Sequence, residues 1–463
     1  MSSYPWILPK TFRVANAIEL FERAAFYGAF IAIALYLTRS VGLSDIQTGW
    51  VLAVFVALFY LLPVILGSFA DRLGFKRVLL LAYIMLIAGY ILLGRFPNKQ
   101  MAVVSLILIV FGSSVSRLVI SWSITKSSDQ NTRAHAFSIL HHMINLGAVI
   151  GFVAAKPIRV SYGLEYIFYF AAALSFIAFI IMFVSYEDYE IQIMGKSFWS
   201  LVGGFLRALT TFRFITFMLI VGCFWTIQGQ IFATLPRYMI RLKGDAASPE
   251  WFVVLVPLVA LIFKAFVSFV SRNIRTFKSI AIGLLLAPLA AYMIGFFPWT
   301  ISNETLVTIV WGLSVHPLTI MIVAMILLGL GECFLSSRFI LYASKQAPPR
   351  EAESYMEFKH LTILIGWFAA FASSGYLLNA YCPDPAKLLP TQYAAAYAHA
   401  SYIWYLYALI GAAGFVLLII FRILTFWYDR YIFAYDIATQ KRPQSVPDEA
   451  SFVSDEQVPF DDE

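Results

Sequence analysis

Apolar blocks long enough to cross a bilayer recur along the whole chain, and no other feature limits its fold as tightly. Roughly twelve such blocks, each about 20 to 27 residues long, match the ~30 Å of hydrocarbon that one helix must span. The first six lie roughly at 12–38, 46–70, 78–95, 101–126, 134–156 and 163–184. The second six lie roughly at 213–237, 250–271, 277–298, 318–345, 353–378 and 399–428. Lipid offers backbone groups no hydrogen bonds, so runs of this length are expected as helices. The expected fold is an all-α integral membrane protein with about twelve transmembrane helices in two six-helix halves.

The composition agrees. Of 463 residues, 61% are hydrophobic and 13% charged, against about 25% charged in soluble domains. The mean hydropathy is +0.79. The expected division is an N-terminal half over 1–184, a cytoplasmic linker over 185–212, a C-terminal half over 213–436 and an acidic, disordered cytoplasmic tail over 437–463. Loops on the side of the termini carry about twice the Lys and Arg of the opposite loops, which predicts both termini in the cytoplasm. The same bias accounts for the net charge of +7 without a nucleic-acid partner. No cleavable leader is visible in "MSSYPWILPK", so the first helix is expected to serve as the insertion signal. Cys223, Cys333 and Cys382 are too few for a disulfide framework. No nucleophile–base pair, Walker loop, H-E-x-x-H or cysteine-rich metal spacing is present, which argues against an enzyme or an ATP-driven pump.

Ionisable residues inside such helices are costly and mark a cavity or a pair. "ELFERAAFYG" puts Glu19, Glu22 and Arg23 in the first span. Glu19 and Arg23 are i,i+4 neighbours, and Glu22 lies about 60° from Glu19 in projection. At about 1.5 Å per residue, Glu19 and Glu22 lie roughly 10 to 15 Å from the cytoplasmic end, Arg117 roughly 14 Å and Glu332 roughly 20 Å. The carboxylates and Arg117 are therefore predicted to meet at one level. Arg338 and Glu357, both shallower, are predicted to pair across a cytoplasmic gate. His141 and His142 point apart on a helix and lack a carboxylate at metal-ligand spacing, so no metal is expected. Lys264 has two readings, snorkelling or facing the cavity.

Six spans, a polar linker and six more resemble the layout of the major facilitator superfamily, in which two halves rock about a midplane site. "GSFADRLGFKR" resembles that superfamily's G-x-x-x-D-R-x-G loop, with Gly67, Asp71, Arg72 and Gly74 in place. Gly67 suits close helix packing and Gly74 a tight turn, and Asp71 is expected to pair with a helix end or with an arginine across the domain interface, a pair that would latch one conformation and break in the other. "ELFERAAFYG" further resembles the E-x-x-E-R-F-x-Y-Y-G signature of the proton-dependent oligopeptide transporter family. Glu19, Glu22, Arg23, Tyr27 and Gly28 match, while Ala24 and Phe26 depart. "FSILHHMINLGA", "FWTIQGQ", "SPEWFVVLVP" and "GECFLSSRFILYASKQAP" resemble its fifth, seventh, eighth and tenth helices.

This resemblance implies proton-coupled uptake of di- and tripeptides by alternating access, driven by the proton gradient without a cofactor. It implies a functional monomer in the plasma (cell inner) membrane, with a peptide-like substrate, protons and lipid as partners. Glu19, Glu22, Arg23, Arg117 and Glu332 are the implied proton-coupling and ion-pair residues. Tyr27, Arg117, Asn145, Trp225, Gln228 and Glu332 are the implied substrate contacts. Arg117 stands at a family lysine, Gly229 at the seventh-helix glutamate, Phe30 at an arginine and Ser337 at a proline. These departures leave a second reading, a relative carrying another small organic solute, and a third, a non-transporting sensor.

Overall fold

The structure is a computed structural model that describes residues 9–129, 132–187, 212–295, 307–308, 314–315, 317–346 and 359–440. Among the described residues, twelve helical segments are long and apolar enough to span a membrane. The first half comprises α1 (Lys10–Arg39), α2 (Asp45–Leu73), α3 (Phe75–Arg95), α4 (Lys99–Lys126), α5 (Arg133–Ser161) and α6 (Leu164–Ser185). The second comprises α7 (Phe212–Ala233), α8 (Leu235–Lys243), α9 (Pro249–Val253), α10 (Leu255–Arg272), α11 (Thr276–Gly295), α12 (Pro317–Gln346), α13 (Lys359–Tyr381), α14 (Tyr393–Tyr397) and α15 (Tyr402–Gln440). Between α11 and α12, β1 (Val307–Thr308) and β2 (Ser314–Val315) pair antiparallel.

The expected spans hold to within a few residues, with local exceptions. The seventh stops at Ala233, and α8 starts with Pro236 in its first turn, a position where proline is tolerated. The twelfth helix runs on to Gln440. The start expected for the eleventh span, 353–358, lies outside the described residues, as do nearly all of the expected linker and the tail beyond α15.

Local chemistry sets several boundaries. Ser44 and Gln47 form a capping box at the start of α2, and Asn98 caps α4, each satisfying amides that a helix start leaves open. Gly74 takes φ +89° between α2 and α3, a region that suits glycine. In the first half, α1 packs on α5 and α6, and α3 on α4 and α6. The α1–α5 crossing is close because a Cβ on Gly151 would lie 2.4 Å from the Ala24 carbonyl oxygen. Small residues of this kind let membrane helices approach. In the second half, α11 packs on α12 and α15, and α7 on α13. The halves meet where α2 runs along α13 and α5 along α9 and α10. Below, the near end of the bundle is the end where α1 begins, and the far end is where it finishes.

Candidate functional site

The charges of α1 are sealed inside the protein. Glu19, Glu22 and Arg23 are 2%, 1% and 4% exposed, so water cannot screen them. Arg23 Nε lies 3.4 Å from Glu19 Oε1, and the same guanidinium pairs with Glu22. Ser113 on α4 donates to Glu22 Oε1 at 2.8 Å. Glu22 is therefore held from inside the first half, between α1 and α4. Glu19 Oε2 has no hydrogen-bond partner among the described residues. Two carboxylates facing one guanidinium carry a formal charge of −1. One proton would neutralise it and give the orphan oxygen a role.

Arg117 lies over the same Phe59 ring as Arg23 but makes no direct pair with these carboxylates. Among the described residues no ion pair joins it to Glu19 or Glu22, although it acts electrostatically on Glu19. Its guanidinium lies 5.4 Å from the ring centroids of Phe59 and Tyr60, and its Nη2 lies 3.3 Å from His360 Nδ1 on α13. A guanidinium only donates, so Nδ1 accepts and His360 is neutral in this contact. Tyr60 stacks on the same imidazole at 6.1 Å. Arg117 thus links the two halves.

Across from α1, the second half holds a polar chain. Trp367 Nε1 donates to Gln228 Oε1 at 2.9 Å, and Gln228 Nε2 donates to Glu332 Oε2 at 3.1 Å. Lys264 on α10 is half-buried and within electrostatic reach of Glu332.

Aromatic rings fill the space between the halves. Phe30 stacks on Trp367 with centroids 5.8 Å apart and planes at 12°. Phe232 packs on Phe30 at 5.4 Å and on Trp367 at 5.2 Å. Tyr27 reaches Phe232 at 6.4 Å, and Tyr60 stands edge-on to Trp367. At Gly229, an added Cβ would lie 2.7 Å from Ala370 Cβ and 3.3 Å from Trp367 Cδ1. Phe30 and Gly229 thus meet at one place: a bare glycine lets α13 approach α7, and Trp367 stacks on the Phe30 ring.

The other expected residues lie as follows. Trp225 is buried and edge-on to Phe224, and Asn145 donates to its own helix at the His141 carbonyl. Arg338 donates to the Ser271 carbonyl at the end of α10. Its expected partner Glu357 lies outside the described residues. The backbone of α2 includes Gly67, Asp71 and Arg72, whose side chains lie outside the described set.

The far end holds a set of ion pairs between the halves that the sequence pattern does not single out. Asp45 Oδ1 accepts from Arg237 at 3.1 Å and Arg241 at 2.7 Å. Arg237 also reaches Ser374 Oγ at 3.1 Å, and Arg241 the Cys382 carbonyl at 2.7 Å. Arg159 grips Glu250 with Nε–Oε1 at 2.6 Å and Nη2–Oε2 at 3.2 Å. Arg39 pairs with Asp245. Burial holds the Arg237 guanidinium down at about 10, with Asp45 pulling the other way. Burial likewise pushes the Cys382 thiol up to about 12. In sequence these charges sit at block ends, where solvated residues are ordinary, so only their partners mark them out.

Among the described residues, twelve membrane-length helices in two halves, meeting over buried charges and joined by ion pairs at one end, define a polytopic membrane protein. The chain belongs to the major facilitator superfamily, whose family model matches residues 17–370. It is similar to dipeptide and tripeptide permease A of Escherichia coli (strain K12), 29% identical over 182 residues, covering 38% of this chain and 36% of the relative. It is also similar to dipeptide and tripeptide permease B of Aliivibrio fischeri (strain MJ11), 27% identical over 243 residues, covering 50% and 47%. The matched region thus spans less than half the length of these relatives. Among solved structures, a peptide transporter POT in complex with sulfate aligns with TM-score 0.67 and 20% identity, covering 90% of this chain and 94% of that one. A POT family transporter in complex with 5-aminolevulinic acid aligns with TM-score 0.67 and 20% identity, covering 90% and 96%. At these identities the two structures show the shared fold.

Proposed function

We propose that the protein is a proton-coupled symporter of di- and tripeptides or peptide-like solutes, working by alternating access. The observation that carries the reading is the sealed α1 triad, which has one negative charge in excess and an unpartnered Glu19 oxygen. A proton at Glu19 cancels that charge, and its release requires a rearrangement around Arg23. The likeness to dipeptide and tripeptide permeases supports the cargo class. Arg117, a permanent cation with a planar fork, would receive the anionic group of a cargo, and Glu332 would face its amine. The Lys/Arg bias supports a near end on the cytoplasmic side, in a cell inner membrane. The far-end ion pairs then close the outside. The proton gradient is the driving force, no cofactor is required, and one chain carries out the cycle.

A second reading rests on Phe30 and Gly229. A ring and a bare glycine occupy the positions where the resemblance implies an arginine and a glutamate, which favours a cargo with fewer charged anchors. Uptake of a labelled dipeptide into proteoliposomes under an inward proton gradient tests the first reading. Gradient-dependent uptake that Glu19→Gln, Glu22→Gln or Glu332→Gln abolishes supports it. Uptake that keeps its pH dependence in all three variants refutes the coupling assignment. Dipeptides that neither bind nor move while another small organic anion does would select the second reading.

A further inference from the structure

The chain Trp367–Gln228–Glu332 has a direction that its chemistry imposes. An indole N–H only donates, so the atom of Gln228 facing Trp367 must be the carbonyl oxygen. That choice fixes the amide, whose orientation is otherwise ambiguous. The amide N–H₂ then points at Glu332 Oε2 at 3.1 Å, so this oxygen must present a lone pair. An ionised Glu332 meets the requirement fully, and a hydrogen bond to a charged acceptor is the stronger kind. A proton on Oε1 leaves Oε2 accepting but makes it a weaker, neutral acceptor, and a proton on Oε2 sets O–H against N–H. The amide can answer by turning over, which breaks the bond from Trp367, or the carboxyl can turn away from the amide.

The two ends of this chain differ in access. Glu332 is half-buried, whereas Gln228 and Trp367 are 6% and 7% exposed. A bond lost at the Trp367 end is therefore not replaced by water, and buried polar groups pay for that in full. Trp367 is also the ring on which Phe30 and Phe232 pack, so its position governs the contact between the halves. Among the described residues, groups that act electrostatically on the Glu332 carboxylate include Lys264 from α10, Tyr27 from α1 and Tyr60 from α2; Cys333 adjoins it on α12.

We propose that Gln228 is a positioning residue that transmits the protonation state of Glu332 to Trp367 and so to the aromatic seam between the halves. A proton or a cargo amine at Glu332 loosens Trp367 against Phe30. An ionised, unoccupied Glu332 holds it. The inference deepens the proton-coupled reading and rests on it for its role in transport, but the relay itself can be measured without transport.

The test uses full-length protein in lipid nanodiscs, with its three cysteines replaced by serine and spin labels at Ser127→Cys and Arg272→Cys, at the near ends of α4 and α10. The distance distribution is compared at pH 5.5 and pH 8. The parent should redistribute between the two pH values, and Glu332→Gln should remove that response. Trp367→Phe keeps a ring for stacking but has no donor, and Gln228→Leu removes the amide. Each should remove at least half of the response, and neither should add to Glu332→Gln in the double variant. A full response in Trp367→Phe and Gln228→Leu, or additive losses, overturns the relay. Loss of gradient-driven dipeptide uptake with the relay response intact would instead refute the transport reading alone.

Discussion

Replacing Asp45 with asparagine should open the far end. One carboxylate oxygen there accepts from two arginines of the other half, at 3.1 Å and 2.7 Å, and all three side chains are at most 6% exposed. Breaking a buried ion pair by removing one partner costs about 3–5 kcal/mol. Asparagine retains a neutral acceptor, and both arginines keep their carbonyl partners, Ala233 for Arg237 and Cys382 for Arg241. The net loss to the closed state is then about 2 kcal/mol, or roughly thirtyfold in the open-to-closed ratio, since 1.4 kcal/mol is tenfold. Cys382 is a native reporter, because burial pushes its thiol up to about 12 and silences it in the closed state. Labelling requires the thiolate, so it proceeds through the opened state. With Cys223 and Cys333 changed to serine, Asp45→Asn should raise the maleimide labelling rate at pH 7.5 by roughly thirtyfold. The variant must remain monodisperse with helical circular dichroism, so that unfolding is excluded. A rate within twofold of the parent would show that Asp45 does not hold this end, and fast labelling of the parent would show that it is not closed.

Ser113→Ala leaves Glu22 Oε1 without its donor from α4 and should destabilise the protein by about 1–3 kcal/mol, read as a lower unfolding midpoint in detergent. Gly229→Glu must displace α13 at Ala370, with an overpacking cost of about 1–3 kcal/mol; adding Ala370→Gly should recover part of the midpoint, and an unaffected single variant would refute the close approach. Arg117→Lys keeps the charge but loses the fork that lies over Phe59 and Tyr60 and reaches His360. It should shift the spin-label distribution toward wider near-end separations, whereas an unchanged distribution would show that Arg117 does not join the halves.

The i,i+4 pair of Glu19 and Arg23 is legible in the amino-acid sequence, because its geometry belongs to a single helix. The partner of Arg117 is not. Depth along a helix places it level with the carboxylates, and it does act electrostatically on Glu19, but its contact with His360 comes from the other half of the chain. Phe30 and Gly229 read as separate departures along the chain. They become one feature where α7 and α13 touch at Ala370 and Trp367.

The membrane class, the number of crossings and the position of the α1 charges follow from the chain alone. A backbone in lipid must satisfy its own hydrogen bonds, so the length of each apolar block decides its structure. Which charges meet across the halves is settled only by tertiary packing. Asp45 and Arg237 are separated by 192 positions in the chain, and nothing local selects one arginine over another. Their pairing depends on how two six-helix bundles rotate and dock, and that depends on every contact along the seam at once.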